Sequence, residues 1–379
     1  MRLEAPVPGD ILAAIQAPFL ETPAYQFDAP VLQPLGLLLD LAGETLRERL
    51  FVVQGDGPEA CLRTDFTLPA LHAHIASGRP EGRYFYSGHA FRVAPRGSQR
   101  AEEFPQIGVE AYEPGDKALA DAEVAALAWR SALAGGREDL TLLMGDVGLF
   151  GDFVDAMRLA PPLAARLKRA FSTPRRLWAE LENAQAGVAA GDGGGGRLAK
   201  LLAGLSEEAA TGVLEEIWAM AGIEPVGGRS AAEIVHRLAE RASLAAAPRL
   251  SAAQAALAHR FLAIAGDPSR ALGEVATLVP GASPQLEASL EAWDRRIGAL
   301  VDAGVPAVGH IRFSAAFGRA FGYYDGILFE VRSAALGEDR PVAAGGRYDS
   351  LPGKLGPALP TGAIGCMVRP GRAWAGAPE

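Results

Sequence analysis

FRVAPRGSQRAEEFPQIGVE, residues 91–110, begins as a strand, breaks at Pro95-Arg96-Gly97, crosses a charged loop and resumes as a strand. Its second half alternates with a period of two. Ile107, Val109 and Ala111 point one way, and Gln106, Gly108, Glu110 and Tyr112 point the other. Gln106 and Glu110 are four residues apart, roughly 13 Å along a strand. A face of Gln, Gly, Glu and Tyr is either solvent or the floor of a polar pocket. The connecting loop, about ten residues, exceeds what a tight hairpin needs. Upstream, in RYFYSGHAFRVAP (83–95), Gly88, Ala90 and Arg92 share a face. Small residues beside an arginine leave room for a carboxylate or phosphate under the guanidinium fork.

Two further clusters have the same texture. In CLRTDFTLPALHAHIA (61–76), alternation puts Arg63, Asp65 and Thr67 on one face if the strand continues that far. A helix begins near Thr67 with Pro69 in its first turn, so Asp65 or Thr67 also reads as its cap. In GRAFGYYDGILFEV (318–331), a strand reading sends Tyr323 and Tyr324 to opposite sides. AAGGRYDSLPGKLG (343–356) follows; its glycine pair permits close backbone approach, and Arg347 with Asp349 reads as a structural brace. Together the clusters describe a polar-floored antiparallel sheet suited to a small zwitterion. Acids would hold its ammonium and an arginine its carboxylate.

The rest of the chain bounds this reading. Its 379 residues carry a formal net charge of -9, which argues against a surface built for nucleic-acid phosphates. Cys61 and Cys366 give neither a disulfide framework nor a metal spacing, and His72 and His74 sit on a helix without metal-ligand company. With no signal-peptide pattern and no bilayer-spanning apolar run, a cytoplasmic protein without membrane partners is expected. Mixed segments at 1–153 and 288–379 flank a stretch rich in Ala, Leu and Arg at 154–287. That predicts a discontinuous α+β core with a mainly helical insertion. Within the insertion, Gly193–Gly196 reads as a linker, since it lacks the strand–loop–helix setting of a phosphate loop. DAEVAALAWRSALA (121–134) reads as an amphipathic helix with Val124, Leu127, Ala128 and Ser131 on one face, and DLTLLMGDVG as a strand ending in a turn.

LRTDFTLP, FRVAPRGSQRAEEFPQIGVE, FGYYDGILFEV, AAGGRYDSL and the final TGAIGCMVRPGR resemble, in order and spacing, the signature segments of the histidyl-tRNA synthetase catalytic core. The resemblance covers about half the chain and is weak through 154–287. It implies a class II aminoacyl-tRNA synthetase-like antiparallel sheet flanked by helices. It also implies a histidine-binding pocket made by Asp65, Thr67, Arg92, Gln106, Glu110, Arg319, Tyr323 and Tyr324, with Arg369 as the last-motif arginine.

Departures from that family redirect the function. An acid that helps hold ATP is Ala94 here, and a loop arginine facing the phosphates is Glu102. Arg-Gly-Leu-Asp becomes Arg319-Ala320-Phe321-Gly322, and the acid before the last arginine becomes Val368. The chain ends ten residues after Arg369, where the synthetases continue into an anticodon-binding domain, so none is expected. The histidine-contacting positions survive better than the ATP-contacting ones. This profile resembles the synthetase-like regulatory subunits of short-form ATP phosphoribosyltransferases, which act in the first step of histidine biosynthesis. That likeness implies no catalytic residues, no cofactor and no aminoacylation. It implies a homodimer joined to the short catalytic subunit in a hetero-octamer, with L-histidine as feedback effector. Two competing readings are a stand-alone histidine-activating adenylyltransferase without a tRNA-binding domain and a ligand-free assembly scaffold.

Overall fold

Period-two runs become strands in the computed structural model, which describes residues 2–42, 44–55, 57–171, 173–186, 205–221, 230–232, 234–236, 249–279, 283–318, 323–355 and 362–377. The chain divides into two units, Met1–Asp152 with Phe261–Glu379, and Phe153–Arg260. Gly193–Gly196 lies outside the described residues.

The first unit carries the strands. In chain order they are β1 (Tyr25–Gln26), β2 (Leu32–Pro34), β3 (Val52–Val53), β4 (Ala60–Leu62), β5 (Gly82–Phe91) and β6 (Glu103–Glu113). They continue with β7 (Leu140–Asp146), β8 (Ala265–Gly266), β9 (Ile311–Ser314), β10 (Ile327–Ser333), β11 (Ala343–Arg347) and β12 (Gly362–Val368). Nine form one sheet in the order β1-β5-β6-β12-β11-β10-β7-β9-β8, and β2-β4-β3 form a small second sheet. From β5 to β7 every neighbouring pair is antiparallel, while β1–β5 and β7–β9 are parallel. This is the expected α+β architecture, with the 92–102 loop joining the two longest strands.

Helices cover both faces of the sheet centre. These include α1 (Gly9–Leu20), α2 (Leu35–Ala42), α3 (Thr67–Ser77) and α4 (Lys117–Leu133). On one face Tyr112 of β6 packs in a buried cluster with Leu35 and Leu38 of α2 and Leu68 and Leu71 of α3. His74 of α3 is in the core, stacked on Tyr112 at 4.4 Å, whereas His72 is exposed. On the other face lies α4, capped by the Asp116 carboxylate on the N–H groups of Ala118 and Leu119. Its expected apolar face is buried, but so are Ala125, Ala126 and Trp129, because the helix lies between the sheet and other helices.

A buried ionic knot ties that second face together. Asp121 of α4 accepts from Arg296 Nε and Nη2 at 3.0 and 2.7 Å, and from Arg347 Nε at 2.7 Å. Arg347 also donates to Asp349 at 2.9 Å, so the brace read from sequence reaches further than the pair itself. One carboxylate thus joins α4, the helix Pro284–Asp302 and β11. Removing one partner of such a set leaves buried charge uncompensated, which costs about 3–5 kcal/mol. After β7 the chain does not turn as expected. It enters the helix Val147–Ala156 directly, with Asp146 Oδ1 accepting from Leu149 N–H at 3.1 Å.

In the second unit the described elements include the helices Pro161–Ala170, Pro174–Ala186 and Glu207–Ala221. Leu163, Leu167, Leu177 and Leu181 are buried there, beside a buried Arg166–Glu180 ion pair.

Candidate functional site

The site is assembled where the start of α3 meets the floor of β6. Asp65 precedes α3, and its carboxylate accepts from the N–H groups of Thr67 and Leu68, two donors that a helix start leaves open. The N-cap position itself falls on Phe66, whose side chain makes no cap hydrogen bond, so neither Asp65 nor Thr67 is the N-cap read from sequence. Burial lifts the Asp65 pKa above the ordinary carboxylate range, against the pull of Arg92 and those N–H groups. Arg92 Nη2 stands 4.0 Å from Asp65, and its Nε donates to the Thr64 carbonyl at 3.0 Å.

Glu110 is the centre of the floor and is only 1 % exposed. Thr67 Oγ1 donates to its Oε1 at 2.9 Å, the Tyr86 hydroxyl reaches the same oxygen at 3.5 Å, and the Tyr348 hydroxyl donates to Oε2. Burial pushes its pKa up to about 8, although the Tyr348 and Thr67 hydroxyls favour the ionised form. No cation bonds to it among the described residues. Gly365 of β12, paired with Glu110, supplies the space, since a Cβ there would fall inside the carboxylate.

Asp65, Thr67, Arg92, Glu110, Tyr323 and Tyr324 all line one cavity. It has about 30 Å³ of free space, room for a water or two. An amino acid would enter only as lining side chains move. Gln106 lies on the same face of β6 but does not line the cavity; it is fully buried, and neither amide atom has a partner among the described residues. Arg319 lies outside the described residues.

Two strand readings need correction. β4 ends at Leu62, so Arg63, Asp65 and Thr67 share no strand face. Arg63 turns away to the carbonyls of Ala29 and His89 and covers the Phe66 ring at 4.5 Å. Tyr323 and Tyr324 precede β10 rather than lying on it; their rings are 4.5 Å apart, and both reach the cavity. Sequence reasoning missed Tyr86 and Tyr348. Tyr86 has the parity of Gly88 and Arg92, a signal that could have found it, and its ring occupies the space left by Gly108. Tyr348 follows Arg347 and points to the opposite side of the sheet.

The loop residues have duties within the chain. Glu102 accepts from Arg2 N–H at 3.1 Å and Ala94 N–H at 3.5 Å, and the Arg2 bond holds it below the ordinary carboxylate range. Val368 is fully buried in β12.

The profile of the histidyl-tRNA synthetase family matches residues 26–209 and 209–369. An ATP phosphoribosyltransferase regulatory subunit from Mesorhizobium japonicum is 36% identical over 367 residues, covering 94% of this chain and 95% of that protein. One from Agrobacterium fabrum is 37% identical over 348 residues, covering 89% of each. A crystal structure described as an ATP phosphoribosyltransferase regulatory subunit/histidyl-tRNA synthetase, from Bacillus halodurans, superposes with a TM-score of 0.62 at 19% identity. It covers 98% of this chain and 78% of the other.

Proposed function

Because this chain belongs to the family of ATP phosphoribosyltransferase regulatory subunits, on a histidyl-tRNA synthetase-like fold, we propose that it regulates histidine biosynthesis by binding L-histidine and acting on a catalytic subunit. The observation that carries the histidine reading is the convergence of Asp65, Thr67, Arg92, Glu110, Tyr323 and Tyr324, from separate segments, on one polar cavity. Asp65 and Glu110 suit the cationic groups of the amino acid, and Arg92 suits its carboxylate. A cation brought to Glu110 favours its ionised form, so binding displaces the proton that burial holds there. The tyrosine pair, outside the strands, adds two aromatic rings to the cavity wall.

The chain's role is non-catalytic in this reading. Glu102 brings negative charge to the loop, and its carboxylate is engaged by the backbone of Arg2 and Ala94. The partner is the short catalytic subunit, met by homodimers of this chain in a hetero-octamer. The test is titration calorimetry with histidine, followed by melting. Saturation at about 100 times Kd should stabilise the fold by about 2.7 kcal/mol. No heat and an unmoved Tm would leave the scaffold reading in its place. Histidine-dependent ATP–pyrophosphate exchange would overturn the non-catalytic assignment in favour of an adenylyltransferase.

A further inference from the structure

A larger cavity lies on the α4 face of the sheet, the face opposite Glu110. It has about 500 Å³ of free space, against about 30 Å³ beside Glu110, and so falls in the size range of small-molecule sites. The start of α4, the helix Pro284–Asp302, the end of β7 and residues flanking β10 and β11 enclose it. Ile327 is the one large apolar side chain among the described residues that line it, and no aromatic ring does. Such a wall suits a flexible, hydrophilic ligand rather than a planar ring.

Five aspartates and four basic side chains line this cavity, and their charges are unevenly matched. Three of the aspartates take up all four cations. Asp121 holds Arg296 and Arg347, Asp349 holds Arg347 and Lys117, and Asp116 stands 3.4 Å from Arg295 Nε. Asp146 and Asp325 receive only neutral donors. Asp146 accepts from Leu149 N–H at 3.1 Å and from the Trp293 indole N–H at 2.9 Å. Asp325 accepts from the N–H groups of Asp349 and Ser350 at 2.9 and 2.6 Å. Neither forms an ion pair among the described residues. A carboxylate can accept about four hydrogen bonds, so both keep acceptor capacity. Burial lifts the Asp146 pKa above the ordinary carboxylate range, against the pull of Arg296.

The basic side has the converse need. Arg296 is 5 % exposed, and its Nη1 is buried without an acceptor among the described residues. Arg295 and Lys117 are more than half exposed, so they stand on the solvent side, in surface pairs that exchange partners at little cost. A guanidinium group matches a carboxylate through paired N–H donors. Chain neighbours also tie this cavity to the smaller one. Asp325 lines the larger and Tyr324 the smaller, while Arg347 lines the larger and Tyr348 bonds to Glu110.

We propose that this cavity is a second ligand site for a small, flexible molecule with a guanidinium or ammonium tip and an anionic end, the tip bound by Asp146 and Asp325 and the end by Arg295 and Lys117. Titration calorimetry with L-arginine, run with and without saturating L-histidine, tests it. L-arginine should bind saturably, one per chain, in both conditions. Asp325→Asn and Arg295→Ala should each weaken binding about tenfold, the loss expected for one charge-assisted contact. Ala292→Leu, which adds bulk to the wall, should abolish it. Absence of saturable binding overturns the proposal, as does displacement of arginine by histidine. Affinity unchanged in Arg295→Ala overturns it too, and that exposed position keeps the test open should Asp325→Asn or Ala292→Leu fail to fold. A pocket that takes no histidine leaves the arginine isotherm unaltered, so failure of the histidine reading and failure here are separate results.

Discussion

Glu110 both braces the sheet floor and lines the cavity. Its carboxyl is ringed by hydroxyls, and burial raises its pKa to about 8, so at neutral pH the folded chain holds a proton that the unfolded chain releases. Stability from this group is complete below the ordinary carboxylate pKa and is lost as pH rises through about 8. Denaturation of the unmodified chain and Glu110→Gln at pH 5 and pH 8.5 should show the former losing stability relative to the latter on the alkaline side. Histidine binding near pH 7 should release up to about one proton at this residue. That release appears as a buffer-dependent calorimetric enthalpy and should vanish in Glu110→Gln. Gly365→Ala is a sharper steric test, because its methyl group would occupy the carboxylate's place. It should abolish histidine binding and destabilise the fold by about 1–3 kcal/mol, the usual range for overpacking.

β11 connects the two faces of the sheet at the scale of elements. Arg347 at its end reaches Asp121 on one side, and Tyr348, the next residue, reaches Glu110 on the other. Asp121→Ala should therefore cost about 3–5 kcal/mol by denaturant titration, because two buried arginines lose their shared carboxylate. The local strands were legible because alternation is a local property. β5 and β6 follow directly from residues 83–112, and so does the face on which Glu110 stands. What stayed hidden was non-local. That β12 rather than β7 borders β6 depends on pairing Glu110 with Gly365, which no neighbouring residue announces. Parity also misleads where a strand stops early. β4 ends at Leu62, which separates Arg63 from Asp65, and β10 starts only at Ile327, so strand parity does not govern the adjacent tyrosines, which both reach one cavity. Tyr348 was missed for the same reason. Its face has meaning only once β11 is known to lie two strands from β6.

The whole molecule keeps a synthetase-like sheet while its loop carries different chemistry. The cavity is lined by acids, an arginine and hydroxyls, whereas Glu102 and Glu4 bring the chain's own carboxylates to the loop and the neighbouring arginines. Such an arrangement suits a sensor whose ligand shifts a partner's equilibrium, with a coupling of about 1–3 kcal/mol. The most direct measurement is turnover of a short-form ATP phosphoribosyltransferase catalytic subunit, with and without this chain, across a histidine titration. This chain should form a complex, raise turnover and confer inhibition by histidine, with Glu110→Gln weakening the inhibition but not the stimulation. Absence of a complex, or histidine inhibition indifferent to Glu110→Gln, would contradict a regulatory subunit that senses histidine through this pocket.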